Sequence, residues 1–276
     1  MIVSAAGPRR TIAATVATTD SGGGAGIQAD LKSFAALGVF GVSVAVALTA
    51  QNTVGVLAVH GLPVEFVVAQ FEAIDQDLRP QAVKTGMLFT AAHIETVAAR
   101  LQHLRWGPLV VDPVMIAKSG DVLLERDAIS VMRDRLLPLA AVVTPNWPEA
   151  EALTGIAVDS DEAAVAAGRA ILEMGAEMVV VKGGHAPGAP DDLIVEESGV
   201  TVLQGARIDS RHTHGTGCTF SAAITAGLAL GTPPLEAVRA AKAYVTAAIR
   251  HAPGLGSGHG PLEHFPPAED SPASFS

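Results

Sequence analysis

Short runs of unbroken apolar, largely β-branched residues alternate along the chain with segments whose apolar residues recur at helical spacing. TIAATVAT (11–18), GVSVAVALTA (41–50), AVKTG (82–86), PLVVDPV (108–114), AAVVTPN (140–146) and EMVVVKGG (177–184) predict strands. AGIQADLKSFAALG (25–38), PVEFVVAQFEAIDQDL (63–78), TAAHIETVAARLQHL (90–104), ERDAISVMRDRLL (125–137), WPEAEALTG (147–155) and SDEAAVAAGRAILEMG (160–175) predict helices. A strand that is apolar at every position is buried on both faces. That happens where helices cover both sides of a parallel sheet, so the chain reads as an α/β, three-layer sandwich.

Local signals fix several boundaries. In the first helix Ile27, Leu31, Phe34 and Leu37 share one face, and Gly38 stops it. Pro63 stands at the start of the second, and Ser160 or Asp161 caps the sixth. Residues 191–209 break the alternation: two short strands flank ESG, which predicts a hairpin. Helices are expected from Gly215 to Leu230 and over 235–250. With no internal repeat and no linker in 10–262, one domain is expected over 1–265, followed by a Pro/Ser-rich disordered tail over 266–276.

A net charge of −10 without a basic block argues against nucleic acid as a partner. A single cysteine excludes an internal disulfide and fits a reducing compartment. GVFGVSVAVALTAQN is too short to span a bilayer, and no cleavage site follows the N-terminal arginines. A soluble cytoplasmic protein is expected.

In parallel sheets ligands bind beyond the carboxyl ends of the strands. Asp20, Gln51, Lys84, Asp112, Asn146 and Lys182 all fall there. TTDSGGGAGIQAD (18–30) joins a strand to a helix, yet it lacks both the dinucleotide spacing and the Gly-Lys pair of a P-loop. It reads equally as a flexible turn or as a ligand contact through Asp20 and Asp30. Gln51 offers a donor and an acceptor to a heterocycle edge, whereas Asn52 suits a turn. Asp112, held extended before Pro113, reads as a magnesium contact through water or as a cap. Asn146 and Glu149 meet at a helix start, as ligands or as a capping box. Lys182 neutralises phosphate or snorkels to solvent.

HTHGTGCTF (212–220) carries the sharpest signal. Gly215, Thr216, Gly217 and Cys218 present successive amides at a helix start, which makes an anion hole by geometry and dipole together. A helix start also lowers a thiol's pKa. The plainer reading is a small buried cysteine. Gly-Thr-Gly is a poor helix start unless something approaches closely, which favours the anion hole. His185, His212 and His214 are too scattered to argue as ligands.

Seven strings in order, DSGGGAGIQADLKSFAALGVFGVSV, LTAQNTVGV, KTGML, VDPVMIAKSGD, TPNWPEAEALTG, VKGGH and HGTGCTFSAAI, resemble the ribokinase-like superfamily of small-molecule kinases. Within it they look like the bacterial hydroxymethylpyrimidine and phosphomethylpyrimidine kinases of thiamine biosynthesis. The resemblance covers about residues 10–265, including GSGHGPLEHF near its end. It implies ATP and Mg²⁺ as cofactors and a homodimer. The reaction implied is phosphorylation of 4-amino-5-hydroxymethyl-2-methylpyrimidine to its monophosphate and then its diphosphate. By resemblance Gln51 reads the aminopyrimidine, and Asp30, Met87 and Val114 line its pocket. Lys182 sits near the ATP phosphates, while Asp112, Asn146 and Glu149 organise magnesium and its waters. The 215–218 amides take the γ-phosphoryl charge.

Many superfamily members have Asp as base where Cys218 stands; the pyrimidine kinases have Cys. One departure is Thr18, in VATTD, where the family usually has Gly; it narrows the pocket and keeps a pyridoxine or pyridoxal kinase in view as the alternative. A catalytically dead ligand sensor is disfavoured by Lys182, Glu149 and Gly215–Cys218. KSGDVLLE and HAPGAPDD are the candidate lid loops.

Overall fold

The computed structural model describes residues 10–115, 126–186, 188–267 and 269–270. Its strands are β1 (Ile12–Thr18), β2 (Phe40–Gln51), β3 (Val56–Gly61), β4 (Ala82–Thr85), β5 (Leu109–Val111), β6 (Ala140–Val143), β7 (Val179–Val181), β8 (Asp192–Glu196) and β9 (Gly199–Leu203). They form one sheet in the order β3-β2-β1-β4-β5-β6-β7-β8-β9. From β2 to β7 all pairings are parallel; β3, β8 and β9 add antiparallel to the edges. The expected hairpin at 191–209 is β8–β9.

Helices cover both faces. The strand period of two sorts the apolar side chains between them. Ala14, Val16, Val83 and Val111 pack with α2 (Val64–Asp75), α3 (Ala91–Leu104), α4 (Arg126–Val131), α5 (Trp147–Thr154) and α6 (Asp161–Glu173). Ala13, Ala82, Val110, Val142 and Val180 face α1 (Gly26–Ala36), α7 (Thr216–Ala229) and α8 (Pro234–Arg250). From Thr219 to Ala229 every residue of α7 is buried, because this helix is the middle of its layer. Among the described residues, no helix is long and apolar enough to cross a membrane.

Three expectations change. Strand β3 was not anticipated: VLAVHG is a half-exposed edge strand, and its weak pattern is hidden behind the NTVG turn. The helix expected over 125–137 is α4 followed by a wider turn at Met132–Leu136 and a 3₁₀ turn at Leu137–Leu139, where Pro138 cannot donate the next amide. The 177–184 strand is only three residues long, because Gly183 and Gly184 turn away into a 3₁₀ segment. The candidate lid KSGDVLLE lies outside the described residues, as do 271–276 of the expected tail.

Candidate active site

One cavity of about 660 Å³ runs along the carboxyl ends of the parallel strands. Its walls extend from Gln51 at the end of β2 to Asp192 at the start of β8. Those strands stand six places apart in the sheet. At ~4.8 Å per strand that is roughly 29 Å, room for two ligands end to end.

The middle of the cavity holds a charged cluster from three neighbouring strand ends. Lys182 follows β7, and its Nζ donates to Asp112 Oδ1 at 3.1 Å and stands 3.7 Å from Glu149 Oε2. Asp112 follows β5 and also accepts from Ser221 Oγ (3.2 Å) and Thr144 Oγ1 (3.4 Å). Burial pushes Asp112 up, but Lys182 and Lys84 outweigh it and hold its pKa below the usual range. Lys182 is raised: burial pulls it down, and the two carboxylates more than reverse that. For Glu149 burial wins, with its pKa pushed up to about 7 despite Lys182.

Glu149 is fixed by the helix it opens. Asn146 Oδ1 accepts from the Glu149 amide (2.9 Å), and Glu149 Oε2 accepts from the Asn146 amide (2.8 Å), a complete capping box. Asn146 therefore spends its side-chain oxygen on positioning Glu149.

The start of α7 faces this cluster. Gly215, Thr216, Gly217 and Cys218 all line the cavity, and no side chain caps the helix. What comes close at Gly215 is the glycine loop: Gly215 has φ +83°, and a Cβ there would collide with the Gly24 carbonyl oxygen. At Gly217 a Cβ would stand 3.4 Å from Lys182 Nζ, so its absence keeps the amides open to the cluster. The thiol of Cys218 does not have the depressed pKa expected of a helix start. Removal from water pushes it up to about 12, more than the nearby Lys84 lowers it.

The other half of the cavity is largely apolar with a few polar groups. Thr18, Gln51, Val56, Met87 and Val114 line it. Asp30 does not. It has no solvent exposure and lies one layer behind, accepting from Lys84 Nζ (2.8 Å) and Thr15 Oγ1 (2.6 Å). The glycine loop's amides are also not offered to a ligand: Asp20 accepts from Gly22, Gly24 and Ala25 at 2.8–3.0 Å. Burial pushes Asp20 up, yet these bonds and that from His214 hold its pKa low. His214 lines the cavity, and its Nε2–H donates to Asp20 Oδ2 at 2.8 Å. That nitrogen cannot also accept from the Gln51 amide 3.2 Å away, which leaves Gln51's donor for a ligand.

Sequence reasoning missed the β8–α8 end. Lys242 donates to Asp192 Oδ2 (2.7 Å) and to the Pro190 carbonyl (2.9 Å), and both Lys242 and Asp192 line the cavity. The available signal was a cation on the apolar stripe of α8, between Val238 and Val245. Arg207 lines this end too and donates to the carbonyls of Gly184, Ala186 and Gly188, pinning the candidate lid HAPGAPDD.

Residues 20–263 match the family model described as phosphomethylpyrimidine kinase. The hydroxymethylpyrimidine/phosphomethylpyrimidine kinase of Haemophilus influenzae is 50% identical over 256 residues, 91% of this chain and 95% of that one. A solved phosphomethylpyrimidine kinase from Clostridium difficile superposes with TM-score 0.79 at 43% identity, covering 87% of this chain and 100% of that one. The pyridoxal kinase of Staphylococcus aureus in complex with ADP superposes with TM-score 0.88 at 35% identity, covering 94% and 95%. The fold is therefore the ribokinase-like fold, and the chain is a phosphotransferase. This chain belongs to the phosphomethylpyrimidine kinase family.

Proposed function

We propose that this chain transfers the γ-phosphoryl group of ATP to 4-amino-5-hydroxymethyl-2-methylpyrimidine, and then a second one to the resulting monophosphate, as a step of thiamine biosynthesis. The observation that carries the reading is the uncapped Gly215–Cys218 helix start set against Lys182, in a cavity long enough for a nucleotide and a heterocycle together. Phosphoryl transfer passes through a loose transition state, so positioning and charge stabilisation do most of the work. The 215–218 amides and Lys182 hold the charge on the transferred group. Gln51 reads the amino-pyrimidine edge, with Met87 and Val114 as its apolar walls.

Asp112 and Glu149 fit a magnesium ion held through water. They are hard oxygen donors on one cavity wall, and no group of three or more His, Cys, Asp or Glu among the described residues forms a full protein cage. When bound, the ion neutralises phosphate charge and orients it; the burial that raises Glu149 leaves that carboxylate suited to a nearby cation.

The test is steady-state ADP release with ATP and Mg²⁺, offering the pyrimidine alcohol, its monophosphate and pyridoxine separately. Turnover on both pyrimidines is expected. Turnover on pyridoxine alone would replace this reading with a pyridoxine kinase, in which Thr18 has reshaped the pocket.

A further inference from the structure

Lys84 is a charged group that this mechanism does not use. The strand period turns Thr15, Lys84 and Asp112 toward the face that carries α1 and α7, with Thr15 and Lys84 direct register partners. Lys84 and Asp30 both have no solvent exposure and lie 2.8 Å apart. Such a pair is no more stable than a well-packed apolar one, so stability does not explain it. Its ammonium has three N–H donors. One goes to Asp30, and among the described residues no second protein acceptor is bonded to it.

Lys84 itself belongs to the cavity floor. Lys84, Gly86 and Cys218 line the cavity together, and a Cβ on Gly86 would stand 3.6 Å from Lys84 Nζ. The bare glycine places no side chain between the ammonium, itself without solvent exposure, and the cavity lining. Asp30, Asp112 and Cys218 are the titratable groups that face it. Burial pulls Lys84 down, but these neighbours outweigh it and the group stays charged. Among the described residues Lys84 is the one Lys or Arg lining the heterocycle half, while Lys182, Arg207 and Lys242 stand toward β7 and β8.

We infer that Lys84 is the specificity-determining residue that admits the second, anionic acceptor to a site that also takes a neutral alcohol. This rests on the two-step reading above. In the first turnover the attacking oxygen is an alcohol, and its O–H proton passes to an oxygen of the transferred phosphoryl group and then to solvent. In the second it is a phosphate oxygen with no proton to lose. In both, a bond forms from that oxygen to Pγ as the bond from Pγ to the β,γ-bridging oxygen breaks, and ADP leaves with the electron pair. The two acceptors differ in the charge brought beside Cys218, and Lys84 is the fixed charge of opposite sign there.

The experiment compares kcat/KM for the alcohol and the monophosphate in wild type, Lys84→Met and Asp30→Asn. Lys84→Met lowers the monophosphate-to-alcohol ratio by at least about tenfold, mainly through KM, as expected for loss of one nearby charge in a partly screened site. In Asp30→Asn the buried ammonium loses its nearest carboxylate and holds its proton less tightly with Asp112 alone, so the ratio falls at alkaline pH and returns toward wild type as pH is lowered. A structural role would depress both acceptors in parallel; an unchanged ratio in Lys84→Met overturns the inference. If that variant does not fold, Asp30→Asn decides alone, and a wild-type ratio at every pH overturns it. A wild-type protein inactive on both pyrimidines overturns the two-step reading itself, and this inference with it.

Discussion

At the Cys218 thiol two effects oppose each other. A helix start lowers a thiol's pKa, but here removal from water is larger and pushes it up to about 12. The resting thiol is therefore protonated. Relative to a free thiol of ordinary pKa 9.0, alkylation by iodoacetamide at neutral pH should be ~10³-fold slower and should climb with pH. Fast alkylation at neutral pH would contradict this. Glu149 makes the second prediction. Its carboxyl is raised from 4.5 to about 7 on folding, so its contribution to stability is full below the lower value and lost as pH rises through the higher one. Glu149→Gln in the metal-free protein should raise Tm by roughly 2–4 °C above pH 7, with the gain vanishing toward acid pH. The same change should lower kcat about 10²-fold. Gln51, Lys182 and Cys218 were legible as cavity residues because unusual side chains at strand ends and a glycine-flanked helix start stand out, whereas Met87 and Val114 came only from the family resemblance. Asp30 was misplaced because a helix pattern shows that a residue faces the sheet, not whether a lysine on the next strand already holds it. Asp20 and His214 were missed as a pair because 194 residues separate them and only the loop packing joins them.

At the scale of elements, strand and helix order followed from the apolar periods, since buried strands and amphipathic helices write different repeats. Edge strand β3 escaped because one face is open to water and its pattern is weak. Two substitutions separate a loop that shapes the site from a helix that only supports the fold. Gly215→Ala forces a Cβ into the Gly24 carbonyl at φ +83°, so it should destabilise by ~1–3 kcal/mol and cost at least about 10²-fold in kcat/KM. Ser160 Oγ accepts from the Ala163 amide as the cap of α6, away from the cavity. Ser160→Ala should cost about 1 kcal/mol in thermal melts and leave kcat unchanged.

For the whole molecule, the three-layer sandwich was legible because uniformly apolar strands allow few other arrangements. The cavity's length was not, since it depends on strand order, and order is set by which crossovers pack rather than by any local pattern. We propose the homodimer on the exposed apolar residues of the β2–β3 edge and α2, with Leu57 77%, Phe66 54% and Leu48 44% exposed. Light scattering should give twice the chain mass, falling to one chain mass in Leu57→Lys. The central claim is that one cavity runs two successive phosphoryl transfers. Its most direct test is phosphorus NMR of the pyrimidine alcohol incubated with excess ATP, Mg²⁺ and this protein alone. A monophosphate signal should rise first and then give way to the coupled pair of a diphosphate. A monophosphate that accumulates and stays would contradict it.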